Sequence, residues 1–473
     1  MGQEITETRF SRADHERFHR HLLAETELLA TWFRENGLAH GPPTAGLELE
    51  AWLVDRELAP APINRAFIER LGDPLVSPEL ATFNVEFNLA PEPLRAHCLS
   101  RMDAALSRNW LRARRVADEL DAELVMIGIL PTVADTDLVP ENLSDLNRYQ
   151  ALNAEVLRQR GDRPLELDIH GHEVLRVEHG DVMLESATTS FQIHLQVPPA
   201  LAVAAYNASI MASGPLVAVS ANSPYLFGRD LWAETRIPLF EQSVEIGGYD
   251  LDAHGPMRRV TFGSGYARDS LMECFTENLE HYPVLLATEL HEPPERLPHL
   301  RLHNGTLWRW NRPLIGFDDG QAHLRIEQRV VPAGPTVADA MANAAFYYGL
   351  TRALCEPGRD ELPFALARDN FYACAQHGLD ARIVWSDGRR HQAQSLLLRV
   401  LLPMARQGLE ALGVADEDVT LYLGIIEARV KNACNGAAWQ RAFVARHGRD
   451  MRQLLQAYLL RQNTGVPVHE WDT

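Results

Sequence analysis

Gly46-Leu47-Glu48-Leu49-Glu50-Ala51-Trp52-Leu53 is the stretch on which the reading of this fold turns. Side chains alternate faces along a strand. Leu47, Leu49, Ala51 and Leu53 therefore share an apolar face, and Glu48 and Glu50 stand together on the other. Three further segments repeat the pattern. Residues 83–89 offer Asn84, Glu86 and Asn88; residues 190–197 offer Gln192 and His194; residues 324–330 offer Arg325, Glu327 and Arg329. If these strands share a sheet, its polar face carries four glutamates, one histidine and two arginines.

The bland reading of such a face is a half-buried antiparallel sheet wetted on one side. It fits each strand taken singly and fits the set less well. Two of the glutamates sit at i and i+2, where like charges repel. A divalent cation offsets that repulsion. Mg²⁺ and Mn²⁺ prefer carboxylate oxygen and keep positions open for substrate phosphates, and a neutral His194 suits Mn²⁺ well. Glu48, Glu50, Glu86, His194 and Glu327 are the candidate metal ligands.

Composition bounds the partners. The 473 residues carry a formal charge of −19, with 46% apolar and 23% charged residues. This is the profile of a globular protein, and it argues against nucleic acid and anionic membrane surfaces as partners. Lys431 is the sole lysine, so a lysine phosphate site or Schiff base is excluded elsewhere and arginine carries the positive charge. The five cysteines are scattered, with no CxxC pair, as expected of a cytoplasmic protein with buried thiols. No apolar run reaches the ~18 residues of a membrane span, and no secretory signal is visible. No Walker phosphate loop, GxGxxG, HExxH or GxSxG is present. A nucleotide must therefore be held by another route.

Along the chain, periodicity predicts helices over residues 9–36, 95–121, 141–160 (with Ser144 as cap), 198–218 and 336–357. A buried strand is expected at 124–130 and a hairpin within 163–185. Strands near 305–310 and 323–331 flank a turn at Asp318-Asp319-Gly320. From about residue 390 the texture becomes helical to about 462, with no linker-like run before it. The expected organisation is a catalytic domain over 1–360 and a helical C-terminal portion, 361–473, packed on it. The fold class expected is α+β: a curved, mainly antiparallel sheet with one polar face and helices on the other.

In order and spacing these motifs resemble the glutamate–cysteine ligase type 2 family, carboxylate–amine ligases with a glutamine synthetase-like fold related to guanido kinases. The matching pieces are Gly46-Leu-Glu-Leu-Glu50, Glu86-Phe-Asn-Leu-Ala-Pro91, Asn147-Arg148-Tyr149, Ser190-Phe-Gln-Ile-His194 and Ala221-Asn-Ser-Pro224. Gly228-Arg-Asp230, His303-Asn-Gly-Thr306, Trp308, Arg312 and Glu327-Gln-Arg329 complete the order. The resemblance covers about residues 44–350. Two departures bear on the second substrate. A frequent G-T-H-P is here Gly128-Ile129-Leu130-Pro131, and a frequent H-V-H-V is Gln192-Ile193-His194-Leu195.

The resemblance implies a ligase that uses ATP and Mg²⁺ or Mn²⁺ to activate the γ-carboxylate of L-glutamate as an acyl phosphate. An amine such as L-cysteine then displaces phosphate. Two or three metal ions would sit on Glu48, Glu50, Glu86, His194 and Glu327. Arg329 and Arg236 are the expected contacts of the transferring phosphoryl group. Gln192 and Asn88 would orient substrate or metal-bound water, Arg312 and Arg148 would face a substrate carboxylate, and Trp308 would lie toward the nucleotide. Phosphoryl transfer to a guanidino or carboxylate acceptor without ligation stays open, as does a silent binding protein of the same fold. Sequence does not select the amine, and a symmetric homo-oligomer is the base-rate expectation.

Overall fold

The computed structural model describes residues 4–246, 258–358 and 361–473. Residue 360, the domain boundary expected from sequence, lies outside the described residues.

One eight-stranded sheet organises the molecule. Its strands are β1 (Thr44–Asp55), β2 (Val76–Pro78), β3 (Asn84–Asn88), β4 (Glu92–Pro93), β5 (Ala122–Val125), β6 (Phe191–Gln196), β7 (Asn311–Asp318) and β8 (Gln321–Gln328). The order across it is β7-β8-β6-β1-β3-β2, with β4 and β5 also paired to β1, and every pairing is antiparallel. The sheet is curled into a half-barrel, the architecture expected from the sequence. Register fixes which side chains meet: Glu50 lies opposite Glu86, Glu48 opposite Gln192 and Asn88, and Glu327 opposite both His194 and Arg312.

The convex face is apolar and buried under helices Pro199–Ser220 and Val337–Leu354. Among their few polar contacts with the sheet, Tyr348 Oη donates to the carbonyl oxygens of Gly46 (3.3 Å) and His194 (3.2 Å). Gln328 Nε2 donates to Asn311 Oδ1 (2.8 Å) and to the Ser209 carbonyl (3.3 Å). Pro199–Ser220 is long and apolar enough to cross a membrane, although no such run was expected from sequence; 83% of that window is buried inside the protein, where it serves as a core helix.

The polar face stops at Trp52, two residues beyond Glu50, where a second apolar core begins. Trp52 stacks on Phe83, with ring centroids 5.4 Å apart. The hairpin Leu165–His170/Val174–His179, the 3₁₀ turn Met183–Ala187 and the C-terminal helices complete this core. The C-terminal helices are stitched to the sheet directly. Gln462 accepts from Met126 N–H (2.7 Å) and donates to the Leu124 carbonyl (3.0 Å), and Tyr458 Oη donates to the Met126 carbonyl (2.7 Å).

Two local expectations change. The helix expected from 141 begins at Asn147. Ser144, read as its cap, instead donates to the Glu79 carbonyl and accepts from Asn64 Nδ2. Trp308–Arg309 is not the hairpin partner of the last strand; it pairs in parallel with Val260–Thr261, and Asn311–Asp318 takes the hairpin position.

Candidate active site

The concave face opens into a cavity of about 630 Å³ that runs across the strands from β7 to the residues after β2. Two acidic triads lie on its floor. Ligand atoms of Glu48, His194 and Glu327 all fall within 4.8 Å of one another, and so do those of Glu50, Glu79 and Glu86.

The first triad is buried. His194 Nε2 lies 3.2 Å from Glu48 Oε1 and 3.9 Å from Glu327 Oε1. Among the described residues His194 Nδ1 has no hydrogen-bond partner, and Nε2 faces the two carboxylates, which suits a metal ligand. Space for the imidazole is made by Gly46 across the ladder, where an added Cβ would approach His194 Cβ to 3.3 Å. Arg312 grips Glu327 at two points, Nε to Oε2 at 2.7 Å and an Nη to Oε1 at 3.0 Å. Burial opposes ionisation of both carboxyls, but His194 beside Glu48, and Arg312 with Arg329 beside Glu327, outweigh it. Both are held well below the ordinary carboxylate range.

The second triad is the reverse case. Burial first, and crowding of like charges second, raise Glu79 well above its usual value and raise Glu86; burial raises Glu50 against the pull of Arg329. Glu50 is oriented by the Ser190 N–H (2.6 Å), Ser190 Oγ (2.9 Å) and Gln192 Nε2 (2.9 Å). Asn88 Nδ2 donates to Glu86 Oε1 at 2.8 Å. Between the triads, Arg329 donates to Gln192 Oε1 (2.5 Å) and Glu327 Oε2 (3.2 Å).

The donor set fits Mg²⁺ or Mn²⁺: carboxylate oxygens, one imidazole facing two of them, and a second triad whose mutual repulsion a cation would relieve. The two ends of the cavity differ. At the β7 end Leu300, Leu302, Trp308, Leu314 and Phe317 give an apolar lining with Arg301 and Arg325; at the other, Arg148 and Tyr149 accompany Glu79 and Glu185.

Of the residues picked from sequence, Glu48, Glu50, Glu86, His194, Glu327, Gln192 and Arg329 are brought together on the floor, with Asn88 supporting Glu86. Arg148, Trp308 and Arg312 line the cavity. Arg236 stands apart. It is buried beneath the floor, donating to the carbonyls of Arg329 (3.1 Å) and Val330 (2.6 Å) and lying 3.3 Å from Glu234, with its face over Trp310. Those contacts make it a brace for the strand end that carries Arg329. Glu79, Glu185 and Ser190 were not picked. Ser190 opens the quoted strand segment, just before β6; Glu79 follows β2, and Glu185 sits on a 3₁₀ turn, where alternation carries no signal.

Solved ligase structures share this fold. The glutamate–cysteine ligase of Francisella tularensis, solved in complex with AMP, superposes with a TM-score of 0.53 at 10% identity, covering 90% of both chains. A bifunctional glutathione synthetase from Pasteurella multocida gives 0.52 at 13% identity, covering 93% of this chain and 55% of the other. The model of glutamate–cysteine ligase family 2 matches residues 44–458, and the chain belongs to that family. A comparison with curated proteins finds no match.

Proposed function

We propose that the protein is an ATP-dependent ligase that joins the γ-carboxylate of L-glutamate to an amine such as L-cysteine, releasing ADP and phosphate. The observation that carries this reading is the pair of acidic triads bridged by Arg329, set between an apolar end and a polar end of one cavity. Membership of the family and the AMP bound by the Francisella tularensis enzyme support it.

The chemistry asks for alignment and charge neutralisation more than for a protein nucleophile. Divalent ions held by Glu48, His194 and Glu327, and by Glu50, Glu79 and Glu86, would neutralise the phosphates of ATP. Leu300, Leu302, Trp308 and Phe317 offer the base an apolar seat at the β7 end. Glutamate then lies toward Gln192 and Arg148. Its γ-carboxylate attacks the γ-phosphorus, and the bond to ADP breaks. Arg329, fixed by Gln192 and Glu327, meets charge on the transferring phosphoryl group. Arg312, engaged at two points by Glu327, acts by holding that carboxylate in place, and Arg148, which donates to Tyr149 Oη (2.6 Å), faces the substrate carboxylate. An amine completes the reaction by displacing phosphate from the acyl carbon.

The test is ADP release from ATP, Mg²⁺ or Mn²⁺ and L-glutamate, with L-cysteine and then a panel of amines, and identification of the product. Amine-dependent ADP with a matching γ-glutamyl amide supports the reading. A stable phosphorylated acceptor would mark a kinase, and no ADP from any pair would mark a binding protein.

A further inference from the structure

We propose that the helix Arg12–Glu35 takes part in nucleotide binding, with Glu25 as the positioning residue that sets the wall of the cavity at its β7 end. The inference rests on the ligase reading above. It concerns a segment that precedes the residues matched by the family model, 44–458.

That wall is the short helix Pro298–Gly305, from which Leu300, Arg301 and Leu302 line the cavity. A helix of eight residues is not stable by itself. Its entry is strained as well. Leu297, the N-cap, has a left-handed φ of 50° and no polar atom on its side chain to meet the first amides. Glu25 meets them from outside. One of its carboxylate oxygens accepts from the Leu300 N–H (2.8 Å), and the other lies 2.6 Å from His299 Nδ1. Leu300, the residue gripped, is itself one that faces the cavity.

His299 is fixed in turn. His21 stacks on its ring with centroids 4.6 Å apart, and Phe18 meets it in a T-shaped contact at 5.0 Å. Phe18, His21 and Glu25 follow one another at spacings of three and four, so one face of one helix supplies all three contacts. The same helix reaches the other side of the wall. Trp32 packs against Phe317, a further lining residue, at 6.3 Å. Just beyond the helix, the Gly37 carbonyl accepts from Gln321 Nε2 (3.0 Å), and the Ala39 N–H donates to the Ala322 carbonyl on β8 (2.8 Å).

The side chains of Glu25 and His299 are only 3% and 6% exposed. A buried pair of this kind is a poor source of stability, because the carboxylate loses its hydration. What it provides is position: two oxygens of one carboxylate fix two successive residues of a short helix. A wall already in place leaves less to be ordered when the nucleotide binds. Loosening it weakens ground state and transition state alike, so the effect falls on KM for ATP and not on kcat.

Wild type, E25Q and E27Q, the last on the exposed side of the same helix, are compared in two assays. One is ADP release with ATP, Mg²⁺, L-glutamate and an accepted amine; the other is calorimetric titration with Mg²⁺-ATP alone. Expected for E25Q are a KM for ATP and a Kd for Mg²⁺-ATP both raised about 5-fold or more, with kcat and the KM for L-glutamate within about 2-fold of wild type. E27Q is expected to match wild type throughout. If E25Q does not fold, H299Q is read in the same way. A lowered melting temperature with unchanged KM and Kd for ATP would overturn the proposal by making the pair a structural contact only. Equal losses in kcat and in the KM values of both substrates would overturn it by showing a general disturbance of the site. Wild type that binds Mg²⁺-ATP and releases no ADP would overturn the ligase reading, while the titration of E25Q would still decide the role of Glu25.

Discussion

Gly46 faces His194 across β1 and β6, and the imidazole has its place because glycine has no side chain. In Gly46→Ala the new methyl meets His194 Cβ at 3.3 Å, and the ring must shift. Mn²⁺ affinity is expected to fall about 10-fold with the fold intact, as when support for a metal ligand is lost; calorimetry and circular dichroism check this together. Replacement of a ligand itself has a larger effect. Glu50→Gln and Glu327→Gln are expected to lower turnover by on the order of 10³-fold, Glu50→Gln at nearly unchanged melting temperature and Glu327→Gln at a lowered one because Arg312 and Arg329 lose their buried carboxylate, read by ADP release and a thermal melt. Alternation alone found these residues, because a strand holds side chains at a fixed period of two. It could not find Glu79 or Glu185. One lies just past a three-residue strand and the other on a 3₁₀ turn, and both reach the cavity only through tertiary folding.

Among the elements, the hairpin of β7 and β8 shows how a turn governs register. Asp319 and Gly320 both have positive φ, 45° and 85°, and form a two-residue turn that pairs Asp318 with Gln321. Such a turn needs its partner strand immediately before it, which selects Asn311–Asp318 over 305–310. Pro313 obscured this in the sequence, yet it is tolerated because β7 is an edge strand. The helices Val337–Leu354 and Leu402–Ala411 approach most closely where Gly349 faces Ala405 and Gly408. A Cβ at Gly408 would collide with the Gly349 carbonyl oxygen. Gly408→Ala is expected to cost about 1–3 kcal/mol of stability, the usual range for overpacking, measured by denaturant unfolding. Neither glycine announces this role in the sequence, because the contact joins segments far apart in the chain.

At the scale of the molecule, the helical C-terminal portion is part of the sheet's support. Arg429 is fully buried and donates to Asp339 Oδ1 (2.7 Å) and Asn343 Oδ1 (2.6 Å), joining helix Asp416–Lys431 to Val337–Leu354. Arg429→Ala leaves Asp339 buried without its cation and is expected to cost about 3–5 kcal/mol, read as a lowered midpoint in denaturant. The helical texture after residue 390 was legible in the sequence; its polar stitching through Gln462 and Tyr458 was not, since amides and hydroxyls mark no partner until the chain is folded.

The acidic face also sets how stability depends on pH. Glu185 keeps its proton to about 8 in the folded protein, and Glu50, Glu79 and Glu86 are raised as well, so the native state binds more protons than the unfolded chain above the ordinary carboxylate range. Stability therefore falls as pH rises through that window. Buried His303 and His323, both lowered to about 4, act with the opposite sign, but only below the ordinary histidine value of 6.5. Between about pH 6.5 and 8 the carboxylates dominate. The metal-free protein is expected to melt at a lower temperature at the higher pH. Mn²⁺ is expected to stabilise it most there, because the carboxylates bind metal in their deprotonated form. Thermal melts in chelator and in Mn²⁺ at both pH values check the sign.

The central claim is that this face activates a carboxylate by phosphorylation. The most direct measurement uses L-glutamate labelled with oxygen-18 in its γ-carboxylate, together with ATP, Mg²⁺ and an accepted amine, and reads the mass of the released phosphate. The account predicts one labelled oxygen in each phosphate, carried over when the amine displaces it from the acyl carbon. Phosphate free of label, released alongside ADP, would contradict it by showing that the γ-phosphoryl group passes to water or to another acceptor.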